Sequence, residues 1–155
     1  MPAPLSATPE LPRYVPDGHD VATLWHIIGL PERGLALQAA LSEGIPYHVF
    51  GRLAQTTGFS QQQLREATGI ARTTLQRRQR EGRFSQAESD RLYRFAEVYA
   101  AAVRLYNSDG RAAHDWLSRP AKGLGGARPI DTLQTMLGTE QVLDLIGRIE
   151  YGVLT

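Results

Sequence analysis

Apolar positions recur at helical spacing from residue 20 onward, and they predict an all-α fold. Val21, Leu24, Trp25 and Ile28 form a first short stripe. After the Gly29-Leu30-Pro31 break, Leu35, Leu37, Ala40 and Leu41 form a second, closed by Gly44 and Pro46. Val49, Phe50, Leu53 and Ala54 share one face of a helix over residues 47–57, which Gly58 stops. Ser60 with Gln63 makes a capping box for the next helix, whose apolar face is Leu64 and Ala67. Thr68-Gly69-Ile70 is a short turn, and residues 71–80 form a further helix with Leu75 inward and Gly82 beyond its end. A second capping box, Ser85 with Glu88, opens the longest helix. Its stripe is Leu92, Phe95, Ala96, Tyr99, Ala102, Val103 and Tyr106, over about 20 residues or roughly 30 Å. Asn107-Ser108-Asp109-Gly110 ends it.

The last third begins with a short helix over residues 111–117 that places Trp116 and Leu117. An irregular loop carrying Gly123, Gly125 and Gly126 follows. A helix is expected from Pro129 to Gly138, which breaks it, and Thr139 is expected to cap a final helix. Val142, Leu145, Ile146 and Ile149 form the inner face of that helix, Asp144 and Arg148 stand at pairing distance, and Gly152 ends it.

Composition sharpens this picture. The 155 residues suffice for one compact domain or two small ones, and 42% are hydrophobic, enough for a core. The chain holds no Cys, which excludes disulfides, thiol catalysis and Cys-ligated zinc. His19, His26, His48 and His114 lack metal-ligand spacing, so neither a metal nor a cofactor is expected. Residues 1–18 hold five prolines (Pro2, Pro4, Pro9, Pro12, Pro16) and read as a flexible tail without the marks of a secretory signal. No apolar run reaches the roughly 18 residues of a membrane span, and the expected location is the cytoplasm.

The net charge of +1 conceals an asymmetry. From Arg52 to Arg94 nine Arg face four acidic residues, Glu66, Glu81, Glu88 and Asp90, while the remainder of the chain is net acidic. A basic middle points to a local anionic partner. It coincides with the two short helices joined by the Gly69 turn, which is the helix-turn-helix pattern. With Leu75 inward, the opposite side of the second helix presents Arg72, Thr73, Gln76, Arg77 and Arg80. These residue types read major-groove base edges and grip phosphates. Arg72, Thr73 and Gln76 lie near the helix start, where base contacts are usual; Arg77, Arg78, Arg80 and Arg83 are placed for phosphates. A solvated basic face on an ordinary helical bundle would have the same composition. A single such unit binds weakly, so a homodimer is expected.

No catalytic constellation is present, because neither a paired His and carboxylate nor a metal set occurs at useful spacing. The Gly123–Gly126 loop lacks the preceding strand and the following Lys-Ser/Thr of a phosphate-binding loop.

The series Trp116-Leu117, Pro120, Leu124-Gly125-Gly126, Pro129-Ile130-Asp131, Thr135, Gly138, Val142, Leu145 and Ile149-Glu150-Tyr151-Gly152 resembles the toxin-binding domain of Xre/MbcA/ParS-type antitoxins. The resemblance covers residues 85–155, with an Xre-like helix-turn-helix before them. With the proline-rich tail, the expected division is a tail (1–18), a helical DNA-binding region (19–84) and a toxin-binding domain (85–155); the tail and residues 20–45 lie outside the resemblance. The resemblance implies the antitoxin of a type II toxin–antitoxin pair, whose partner is a RES-domain toxin that consumes NAD. It implies that the C-terminal domain blocks the toxin's active site, and that the antitoxin represses its own operon by binding operator DNA. Under this resemblance the expected toxin contacts are Lys122, Gly125, Gly126, Arg148, Glu150, Tyr151, Gly152, Val153, Leu154 and Thr155. Ala71 departs from the Ser or Thr that commonly caps a recognition helix. A stand-alone repressor whose C-terminal domain dimerises or senses a ligand is the alternative.

Overall fold

A computed structural model describes residues 22–31 and 33–152. Eight α-helices occur among them: α1 (Ala22–Ile28), α2 (Gly34–Glu43), α3 (His48–Thr57), α4 (Gln61–Thr68), α5 (Arg72–Glu81), α6 (Gln86–Leu105), α7 (Gly110–Leu117) and α8 (Met136–Glu150). Two 3₁₀ turns, Lys122–Leu124 and Pro129–Thr132, connect α7 to α8. The described residues contain no strand beyond one antiparallel bridge between Pro46 and Arg83. The fold is all-α.

Helix α6 is the axis of the molecule. Its stripe of Leu92, Phe95, Ala96, Tyr99, Ala102 and Val103 is buried as the pattern requires, but Val98, Ala100 and Ala101 are buried too. The helix is therefore covered on more than one side, with α2, α3, α4, α7 and α8 packed against it. Ala100, Ala101 and Ala102 suit this position, since small side chains let helices approach closely. Tyr106, at the end of the stripe, is half-buried.

Both capping boxes form. Ser60 Oγ accepts from the Gln63 N–H at 3.0 Å and Gln63 Oε1 accepts from the Ser60 N–H at 2.9 Å. The Ser85–Glu88 pair does the same at 3.2 and 3.0 Å.

Several expectations are corrected. Gly138 does not break a helix; it sits inside α8, whose cap is Thr135, with Thr135 Oγ1 accepting from the Gly138 N–H at 3.0 Å. Glycine is needed there for space, because a Cβ would run into the Thr132 carbonyl oxygen. The segment before it is a 3₁₀ turn, and Thr139 is buried with its hydroxyl donating to Thr135 O at 2.9 Å. Ile149, expected inward, is 37% exposed. Leu35, expected to share the inner stripe of α2 with Leu37, points to solvent.

Candidate nucleic-acid and partner interfaces

Helices α4 and α5 are joined by a turn that the sequence dictates closely. Gly69 takes the left-handed conformation at φ +67° and its N–H donates to Glu66 O at 3.3 Å. The Ile70 N–H donates to Arg65 O at 3.0 Å, completing a Schellman ending, and the Ile70 side chain is buried in the angle between the helices. Helix α5 has no fully buried residue; Leu75 is its half-buried apolar contact. Ala71 provides no side-chain cap.

What holds α5 is found at its end and on one flank. The Tyr47 N–H donates to Gly82 O at 2.9 Å, and the Phe84 N–H to Ile45 O at 3.0 Å. Phe84 is buried, with its ring 5.8 Å from Tyr47 and 6.1 Å from Phe50. Arg78 makes a fork to Glu88 on α6: Nε to Oε1 at 2.7 Å and Nη2 to Oε2 at 3.0 Å. Its Nη1 also donates to Glu81 at 2.6 Å. Donation to Glu88 and then to Glu81 raises the guanidinium's pKa further. Burial pushes the Glu88 carboxyl up, but the Arg78 fork and the Ser85 N–H outweigh it and hold the carboxyl below its ordinary range.

These contacts set the four arginines expected to meet phosphate apart from one another. Arg78 is engaged internally, and Arg83 donates to Gly44 O at 3.0 Å across the bridge that closes α5. Arg77 lies 3.9 Å from Glu81, an exposed pair of small energetic consequence. Arg72, Thr73, Gln76, Arg77 and Arg80 are all exposed.

Arg72 and Gln76 line a groove of about 490 Å³ together with Gln61, Gln62, Arg65 and Gln79. Four side-chain amides and two guanidinium groups thus converge on one depression beside Leu75 and Tyr47. Gln61, Gln62 and Arg65 escaped the sequence reading because they belong to the preceding helix. The excess of Gln across both helices is the signal that marks them.

The Gly-rich loop closes on itself. The Gly126 and Leu124 N–H groups donate to Ala121 O at 3.0 and 3.1 Å, and the Ala121 N–H donates to Ala127 O at 3.0 Å. Gly125 and Gly126 have φ of +64° and +86°, so backbone conformation selects glycine at both. Lys122 is exposed and carries no ion pair among the described residues, whereas Arg128 is held by Asp131 at 2.7 and 2.9 Å. The loop rests on α8, with Gly123 against Leu145.

Arg148, Glu150, Tyr151 and Gly152 are exposed where α8 ends, and Tyr151 is 85% exposed. Asp144 and Arg148 form no ion pair. Val153, Leu154 and Thr155 lie outside the described residues. The pattern of burial adds Met136, Leu137 and Ile149. Four of the five exposed large hydrophobic residues among those described (Met136, Leu137, Ile149, Tyr151) lie on α8 or at its end. Placing a helix break at Gly138 hid the first two.

The two regions are packed together. Gln134 Nε2 donates to Glu66 O near the end of α4 at 2.6 Å, and Arg91 Nη1 donates to Gly69 O in the turn of the helix-turn-helix at 3.1 Å.

A helix-turn-helix with an amide- and guanidinium-lined groove, joined through a shared central helix to a small domain with an apolar outer helix, defines a DNA-binding protein with an attached protein-binding domain. Residues 36–97 match the antitoxin Xre-like helix-turn-helix domain, and residues 101–152 match the antitoxin Xre/MbcA/ParS C-terminal toxin-binding domain. Antitoxin Xre of Yersinia enterocolitica is 40% identical over 134 residues, covering 85% of this chain and 90% of the relative. Antitoxin Xre of Photorhabdus laumondii is 36% identical over the same coverage, and that of Pseudomonas putida is 36% identical over 81 residues, about half of each chain. The chain belongs to the Xre antitoxin family and is the antitoxin of a toxin–antitoxin system.

Proposed function

We propose that this antitoxin neutralises a RES-type, NAD-consuming toxin by covering the toxin's active site with its C-terminal domain, and that it represses its own operon as a homodimer. The observation that carries the two-surface reading is the segregation of chemistry. Exposed large hydrophobic residues gather on α8, while convergent amides and guanidinium groups gather at α4 and α5. Protein partners recruit apolar and aromatic anchors; DNA recruits Arg and Gln. Arg72, Thr73 and Gln76 read bases, while Arg77 and Arg80 bind phosphates. Lys122, the Gly125-Gly126 turn, Arg148, Glu150, Tyr151 and residues 152–155 contact the toxin, and Met136 and Leu137 extend that contact along α8. The protein acts by binding, without catalysis or a cofactor. No described helix is long and apolar enough to cross a membrane, in keeping with action in the cytoplasm.

The test is co-expression with the product of the adjacent gene. Growth rescue and co-purification are expected, together with protection of cellular NAD. Rescue without any effect of the neighbour on NAD would remove the RES assignment. Failure of both rescue and co-purification would favour the stand-alone repressor. Deleting residues 151–155 should impair neutralisation more than operator binding.

A further inference from the structure

Helix α8 contains two glycines, and the fold accounts for one of them. Gly138 is needed for space against the Thr132 carbonyl. Gly147 is not: beyond the helix's own backbone, a Cβ there would meet no atom within 4 Å among the described residues. Its φ is not left-handed, and the glycine that follows the end of the helix is Gly152, at φ +73°. Glycine weakens a helix relative to alanine, so neither conformation nor internal packing explains its presence at 147.

The surroundings of Gly147 are partner-facing. The outer side of α8 consists of Leu137, Glu140, Gln141, Asp144, Arg148 and Tyr151, spaced i, i+3, i+4, i+7, i+11 and i+14, and all six are exposed. Gly147 follows Asp144 by three residues and precedes Tyr151 by four, so these side chains flank a notch of bare backbone on the edge of that face. On one side of the notch, Glu140 and Asp144 make no ion pair among the described residues. On the other stands Tyr151, 85% exposed.

We propose that the toxin lays an extended backbone segment across α8 at Gly147, between Asp144 and Tyr151, and that a Lys or Arg of this segment meets Asp144 and Glu140. Absence of a side chain lets one main chain approach another closely. The notch is one residue wide, too narrow to seat a helix about 10 Å across, whereas an extended segment fits. Unpaired carboxylates beside it select positive charge, and Tyr151 supplies an amphipathic wall. The inference rests on the reading that the outer face of α8 meets the toxin, and it names what that face receives.

The test is calorimetric titration of the full chain and its variants with the toxin encoded by the adjacent gene, alongside thermal denaturation of the toxin-free chain. Gly147→Ala should raise Tm, because the added methyl favours the helix and meets nothing in the chain, and should nevertheless weaken toxin binding about tenfold. Gly147→Leu should weaken it by about a hundredfold or more. Gly51→Ala is the control: Gly51 lies within α3, and a Cβ there also meets no atom within 4 Å, so Tm should rise with toxin affinity unchanged. Asp144→Lys should weaken binding by about tenfold, and by less at high salt. Unchanged toxin affinity in both Gly147 variants, with Tyr151→Ala still weakening it, would overturn the crossing and leave the α8 face as the contact. Unchanged affinity in the Gly147, Tyr151 and Leu137 variants alike would remove the α8 reading and the crossing together. A lower Tm in toxin-free Gly147→Ala would mean that the notch is filled within the chain, and overturns the proposal. Tighter binding by Asp144→Lys would show an acidic segment opposite α8 and overturn the charge assignment.

Discussion

The two helices proposed to meet DNA and the toxin, α5 and α8, are held in different ways. Helix α8 buries Val142, Leu145 and Ile146, and the small Gly138 and Thr139, against the core. Helix α5 buries none of its ten residues. It is fixed by the Gly69 turn before it, the Gly82–Phe84 connection after it and the Arg78–Glu88 fork on its flank. A helix entering a DNA groove has to keep most of its circumference free, so little of it remains for apolar burial. A helix covering a protein partner needs one free face and can anchor the other conventionally. Polar restraint suits the first and apolar burial the second.

The sharpest way to break this contrast is to remove buried volume. Leu145→Ala should destabilise the protein by about 2–5 kcal/mol in chemical denaturation, whereas Leu75→Ala on α5, half-buried, should cost less, about 1 kcal/mol. Equal costs would mean that α5 is held by packing after all.

Tyr151→Ala should weaken toxin binding by about 2 kcal/mol or more, measured by calorimetry, without lowering Tm, because the ring touches solvent and not the core. Leu137→Asp should act in the same direction. Operator affinity should stay unchanged in both.

Arg72→Ala and Gln76→Ala should each weaken specific operator binding by about 1–3 kcal/mol while leaving neutralisation intact. Unchanged operator affinity in both variants would remove α5 from the base-reading role.

Glu88→Gln should produce the smallest but most diagnostic change. It releases part of the Arg78 fork, so specific affinity should fall while the salt dependence of DNA binding steepens by up to about one phosphate contact. A shallower slope would show that Arg78 already contacts phosphate. The same carboxyl also predicts a pH effect. Its folded pKa lies below the unfolded one, so its contribution is present above about pH 4.3 and is lost as pH falls through the lower folded value. Glu88→Gln should therefore flatten the stability profile on the acid side of about pH 4, followed by thermal denaturation.

The features readable in the sequence were those settled within a few residues. Ser60 with Gln63 and Ser85 with Glu88 form boxes across three positions, and Gly58, Gly69 and Gly82 stop helices by their own conformational freedom. The exposed faces of Arg72, Gln76 and Tyr151 follow from helical phase. The misreadings share one cause. Gly138 has the composition of a break, and only the nearby Thr132 carbonyl shows that it is a close approach. Arg78 has the phase of a phosphate ligand, and only Glu88, ten residues on, shows that it is occupied. Arg83 donates to Gly44 O, 39 residues before it.

The sequence alone determined the helices up to α7, the turn between α4 and α5, and the kinds of side chain each proposed partner surface offers, because periodicity, capping and glycine conformation act over one or two helical turns. Tertiary structure alone decided which of those side chains are free. It tied Arg78 and Arg83 into the fold, continued α8 through Gly138, gathered the glutamines of two helices into one groove and left Met136, Leu137 and Leu35 uncovered. Those outcomes depend on which distant groups meet when α6 is covered on several sides, and a local pattern carries no record of such meetings.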